Sequence, residues 1–145
     1  SDVADLSVSD GSVARSAQQS YTRLLSAITS GYTEPSNVVI RDQAALASVW
    51  RTIHEGIPGN PAPAIDFAQR MVLVLALGPK NTGGYSIAVD SIDLGASGLT
   101  VRYTATSPGP ACATTQMTTS PVDVVSVARS ELQVRFERRD VIQKC

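Results

Sequence analysis

From Met71 to Leu77 the chain reads MVLVLAL, an apolar run with no polar residue alternating through it. A bilayer span needs about 20 such residues, so this run is too short to cross a membrane. It is the length of one strand, and without a period of two it belongs in the middle of a sheet with both faces covered. Gly78, Pro79, Lys80, Asn81, Thr82, Gly83 and Gly84 follow as a corner. Gly78 and Gly83 have the spacing of a phosphate-cradling loop, but Gly84 and Tyr85 stand where Lys and Ser or Thr would hold phosphate and magnesium. Nucleotide chemistry is therefore absent. Tyr85, Ile87 and Val89 then alternate with Ser86, Ala88 and Asp90, the period of a second strand.

The 145 residues, 43% of them hydrophobic, fill one core, so a single domain is expected. Twelve Lys and Arg against thirteen Asp and Glu leave no polyanion footprint, which argues against nucleic acid as a partner. No membrane span is expected. The first residues, SDVADLSVSDGS, have neither a basic head nor an apolar core, so an export signal is expected to have been removed or never to have existed. Cys112 and Cys145 are the only cysteines, and an even pair suggests one disulfide clasping the C-terminus. In the chain-entropy account such a bond contributes roughly 3 to 4 kcal/mol. The alternative is two reduced thiols in a cytosolic protein.

Residues 1–19, rich in Ser, Asp and Ala, read as a partly ordered N-terminal tail. Between Tyr21 and Ile28 the residues fit either a helical stripe through Ala17, Tyr21, Leu24 and Ile28 or a short strand over Tyr21 to Leu25. A turn at Gly31 and Pro35 precedes a strand through Val38, Val39 and Ile40. The clearest helix follows: Asp42 is placed to cap it, Ala45, Leu46, Val49, Trp50 and Ile53 share a face, and Gly56 stands where it ends. The proline-rich Ile57 to Ala64 connection is long enough to make contacts, anchored by Ile65 and Phe67. Tyr85 to Leu94 and Leu99 to Ala105 form a hairpin around Gly95 to Gly98, with a bulge near Asp90 because Ile92 and Leu94 fall out of step with Ile87 and Val89. After Pro121, Val122 to Val127 and Leu132 to Phe136 are expected to form a last hairpin. Arg135, Arg138 and Arg139, interspersed with Glu137 and Asp140, read as a solvated strand face.

Catalytic chemistry finds little support in these residues. His54, the single histidine, sits in the last turn of the helix, where the dipole favours it, and no pattern of triad partners accompanies it. No Ser stands in a G-x-S-x-G turn, a zinc site lacks ligands, and Asp90 and Asp93 are too sparse for a hard-metal loop. No catalytic residue, metal or cofactor is expected. Recognition is better placed on loops: Lys80 and Asn81 at the tip of the glycine corner, with Thr82, Gly83, Gly84 and Tyr85, and, as companions wherever the fold brings them near, the Ile57 to Ala64 loop and the loop of Pro108 and Pro110. Tyr85 has a competing structural role folded back on the core, with Gly83 and Gly84 serving a positive φ or a close backbone approach.

These residues together resemble the C-terminal domain of the bacterial protease complex subunit PrcB family. The shared order is ITSGYTEPSNVVIRD, a helix with Trp50, DFAQRMVLVLALG, the TGGYSI corner, Pro-Gly-Pro-x-Cys, Thr-Ser-Pro before a strand, and a last strand through Phe136 ending near a Cys. The likeness runs from Tyr21 to Cys145 and favours strand over helix at Tyr21 to Leu25. Two departures stand out: Val122 follows Pro121 where the family has an aromatic, and no lipid-attachment Cys precedes the domain, which leaves anchoring open. A looser likeness, carried by Asn81, Thr82, Gly83, Gly84 and Tyr85, is to chagasin-type cysteine protease inhibitors, β-sandwiches that insert loops into a protease cleft. The expected fold is α+β: a mainly antiparallel β-sheet packed on one principal α-helix, with a C-terminal disulfide, over residues 20–145. The PrcB resemblance implies a non-enzymatic, secreted, periplasmic or cell-surface bacterial module. It would bind a protease through surface loops, stabilising, assembling or inhibiting it. The competing expectation is a structural domain of the cell envelope without a protease partner.

Overall fold

The central strand of the molecule, β4 (Arg70–Ala76), is buried from Met71 to Ala76 because each of its faces meets a different layer. The computed structural model describes residues 17–145. One layer is the helix α1 (Gln43–Ile53), whose Leu46, Trp50 and Ile53 pack on Val72, Val74 and Ala76. The other layer is a second sheet, whose Ile87, Val89, Ile92, Leu99, Val101, Tyr103 and Ala105 pack on Met71, Leu73, Leu75 and Leu77. The unbroken apolar run is thus two alternating sets, each with its own cover.

The helix-covered sheet has the order β2 (Tyr21–Ala27), β7 (Val122–Ala128), β4, β3 (Ser36–Ile40), antiparallel throughout. The second sheet has the order β1 (Ala17–Gln19), β5 (Ser86–Gly95), β6 (Gly98–Pro108), β8 (Val134–Gln143). Here β1, β5 and β6 are antiparallel and β8 runs parallel to β6. The α+β class and the antiparallel majority hold, and the one antiparallel sheet of the sequence reading is two sheets face to face. Residues 20–27 are indeed strand from Tyr21 onward. Of the N-terminal tail, residues 1–16 lie outside the described residues, while Ala17–Gln19 pair with Leu94 to Ile92 of β5.

The helix forms where the sequence places it. Asp42 Oδ1 accepts from the Ala45 amide at 2.8 Å, satisfying one of the free donors of the first turn. At the other end Glu55 N donates to Thr52 O and Gly56 N to Arg51 O, the paired bonds of a Schellman close. Glu55, at φ 55°, holds the left-handed position, one residue earlier than Gly56. His54 closes the helix with Nδ1 at 2.9 Å from Trp50 O, and its ring lies 5.6 Å from that of Trp50.

The hairpin of β5 and β6 carries the expected bulge, its register shifting between Val89 and Ser91. Among the described residues the outer edge of β5 beyond β1 has no strand partner in its own sheet, and the opposite sheet seals it. Asp123, fully buried on β7, accepts from Val89 N at 2.8 Å and from Arg23 Nε and Nη2 at 2.8 and 2.9 Å. Tyr21 Oη and Arg23 Nη2 donate to Val89 O. The hydrogen bond to Asp123 raises the pKa of the Arg23 guanidinium further above its already high value, against the opposing effect of burial.

The last pair of strands departs from the sequence reading. Val122 to Val127 is β7, but Leu132 to Phe136 does not fold back on it, and the final strand is β8, in the opposite sheet beside β6. The reason is burial. From Val122 to Val127 β7 is covered on both faces, so it needs neighbours on both edges, and β2 and β4 take them. The charged β8 belongs at an edge. Arg129 fixes the crossing between sheets by donating to Arg41 O and Phe67 O, and its contact with Glu131 lowers that carboxyl's pKa.

Candidate functional site

Strands β4, β6 and β8 all end at one pole of the molecule, and the loops that leave them are stitched into one surface. Lys80 pairs with Thr119 through two backbone bonds, Lys80 N to Thr119 O at 2.8 Å and Thr119 N to Lys80 O at 2.9 Å. Thr119 Oγ1 donates to Thr82 O at 2.9 Å, and Gly83 N to Thr115 O at 3.0 Å. The segment from Thr114 to Thr119 is therefore the second wall of the corner. Sequence reasoning passed over it, although its run of threonines between Cys112 and Pro121 was a visible signal of a hydrogen-bonding loop.

Glycines are required at the corner for two separate reasons. Gly84 adopts φ +92°, and a Cβ there would stand 2.9 Å from Pro108 Cβ. Gly83 has no positive φ, yet a Cβ would run into the Thr115 hydroxyl. The same contacts bring Pro108 against the corner. Gly109 N donates to Gln143 O at 2.9 Å, and the Cys112–Cys145 disulfide, with Cα atoms 5.0 Å apart, ties the loop after β6 to the C-terminus.

The expected recognition residues are therefore neighbours, with unequal exposure. Asn81, Gly84 and Pro110 are exposed; Lys80, Thr82, Tyr85 and Pro108 are half-buried; Gly83 is buried. Lys80 does not simply protrude: its Nζ lies 5.3 Å from the centre of the Tyr85 ring, and Tyr85 itself packs against the core between the sheets. Beside them Tyr32, whose carbonyl accepts from Ser120 Oγ at 2.8 Å, has its phenol pKa raised by burial. The third expected loop lies elsewhere. Residues 57–64 leave the C-terminal end of α1 and return to its first turn, where Gln43 Nε2 donates to Pro63 O and Gln43 Oε1 accepts from Ile65 N.

Among the described residues no cluster of His, Cys, Asp or Glu is arranged to hold a metal ion. No helix among them is long and apolar enough to cross a membrane. The second sheet has a shallow hollow of about 440 Å³ lined by Asp90, Ser91, Arg102, Tyr103, Glu137, Arg138 and Arg139. Several of its charges are paired locally, Arg102 with Asp93 and Glu137, and Arg138 with Asp140.

The described residues thus form a two-sheet α+β domain with one covering helix and a cross-braced loop pole. The family model for the PrcB C-terminal matches residues 71–128, from the buried run of β4 to the last residue of β7, and this stretch belongs to that family. It contains both walls of the loop pole. No curated protein and no solved structure gives a match.

Proposed function

We propose that the chain is a non-enzymatic, extracytoplasmic module that binds a protease through the loop pole formed by Lys80 to Tyr85, Pro108, Pro110 and Thr114 to Thr119. The observation that carries this reading is the cross-bracing of the glycine corner inside the PrcB C-terminal segment. A loop held by backbone bonds, a disulfide and two prolines loses little entropy on docking, and this favours protein recognition over a mobile gate. The residues that would supply chemistry are engaged in structure instead: His54 closes a helix and both cysteines are bonded to each other. The disulfide also suits an oxidising compartment.

The test is retention of a protease from the source organism's secreted proteins on the immobilised chain, scored by proteolytic activity in the eluate. Replacing Lys80 and Asn81 together by Ala is expected to weaken retention at least about tenfold while leaving the melting temperature unchanged. Retention of envelope polysaccharide or porin with no protease activity would favour the scaffold reading. Undiminished protease binding by the double variant would move the site away from the corner.

A further inference from the structure

Among the described residues, no strand pairs with the outer edge of β8, although at ten residues it is one of the longer strands. Its hydrogen-bonding parity can be read from the ladder ends. Leu99 N donates to Gln133 O and Gly109 N to Gln143 O, both at 2.9 Å, in an unbroken parallel register. Odd-numbered residues of β8 therefore turn their backbone groups toward β6. Val134, Phe136, Arg138, Asp140 and Ile142 turn theirs outward. The same even-numbered side chains share the Tyr103 face of the sheet and read, in order, apolar, apolar, cation, anion, apolar. Ile142 is 68% exposed, the most exposed large hydrophobic residue among those described.

From Phe136 to Ile142 that pattern is its own complement when reversed. We propose that this chain forms a two-fold symmetric dimer in which the outer edge of β8 pairs antiparallel with β8 of a second copy, Arg139 lying at the axis. In this register Phe136 stands opposite Ile142 of the second copy, and Arg138 opposite its Asp140, each contact made twice by symmetry. The outward-facing backbone groups meet to form about eight cross-strand bonds. On the other face the two Arg139 side chains meet at the axis with Glu137 of each copy diagonal to Arg139 of the other. The neighbouring registers fail. Centring on Arg138 sets Phe136 against Asp140, and centring on Glu137 sets Arg135 against Arg139 twice, whereas centring on Arg139 leaves one like-charge contact, Arg139 with its own copy, flanked by Glu137 of each chain. Because β8 ends at the loop pole, antiparallel pairing carries the two poles to opposite ends of one eight-stranded sheet, so the dimer presents two separate recognition surfaces.

Charges on an edge strand can instead serve only to keep other strands away, and that reading gives a monomer at every concentration. Sedimentation equilibrium of the 145-residue chain, from micromolar to near-millimolar, is expected to show a reversible monomer–dimer equilibrium. Arg138→Asp and Asp140→Arg each place like charges opposite one another twice and are expected to weaken association at least about tenfold. The two singly substituted chains mixed together, and the chain carrying both substitutions, restore opposite charges and should recover the dimer. Because these side chains are exposed, the monomer's melting temperature serves as the control for folding. A chain that remains monomeric throughout, a dimer indifferent to Arg138→Asp, or a mixture that fails to associate would each overturn the proposal.

Discussion

The two sheets are built from similar residues and do different work. In the helix-covered sheet, β4 and β7 bury both faces, and the fully buried charged group Asp123 is paired with Arg23 from β2. In the second sheet, Leu99, Val101, Tyr103 and Ala105 of β6 face the core. On the opposite face Arg102 is exposed, and β8 carries charges along most of its length. Apolar burial at about 25 cal/mol per Å² is thus concentrated where layers lie on both sides. The second sheet has one side already committed to water, and on the proposed function its edge and loops are the part left for recognition. Burial is thus divided unequally between the layers.

That division can be broken most directly at Trp50. Trp50→Ala is expected to lower the unfolding free energy by about 3 to 5 kcal/mol, because it empties the space between α1 and the covered sheet. Arg139→Ala, on the open face, should stay within about 0.5 kcal/mol. Comparable losses in urea unfolding at the two sites would mean that the sheets share the load. The disulfide comes next: Cys145→Ser removes a link spanning 33 residues and should cost about 3 to 4 kcal/mol. Thiol titration of the unreduced, denatured chain should find no free sulfhydryl. A smaller loss than this would show that β8 is held by its ladder to β6 alone.

Arg23→Leu tests the seam between the sheets. It leaves Asp123 buried with only the Val89 amide, a change that costs about 3 to 5 kcal/mol for an enclosed pair. Here about 2 kcal/mol is expected, because the Arg23 side chain is 40% exposed and solvent screens it. The check is a cycle with Asp123→Leu, in which the double variant should lose less than the two single losses added. His54→Ala should cost less than about 1 kcal/mol, since it removes one helix-end contact.

The smallest effect concerns pH. Burial raises the Tyr32 pKa, so its contribution is intact below the ordinary tyrosine value near 10 and is lost as pH rises through the higher folded value. Replacing Tyr32 by Phe should flatten that alkaline part of the stability curve, read by thermal unfolding across pH 9 to about 11. An unchanged alkaline slope would place the sensitivity elsewhere.

Much of the fold was legible because it depends on short-range patterns. The run from Met71 to Leu77 announced two covered faces, Asp42 and the face through Leu46, Trp50 and Ile53 announced the helix, and the phase slip after Val89 announced the bulge. Of the candidate site, the glycine corner and the Pro108 loop were legible as loops. Their mutual contact through Gly84 and Pro108, and the wall from Thr114 to Thr119, were not, because no local period links residues 80 and 119.

The sequence by itself determined the elements and the constraints each carries: a central strand, a capped helix, a glycine corner, and a pair of cysteines. Only the tertiary structure decided which elements meet. Val122 to Ala128 and Val134 to Gln143 are close enough in sequence for a hairpin, yet they lie in opposite sheets. The physical reason is that a strand's pattern states how much of it must be hidden, whereas its partner is set by which neighbours can cover it best. For β7 those neighbours are β2 and β4, from distant parts of the chain, and for β8 the surviving place is the open flank of β6.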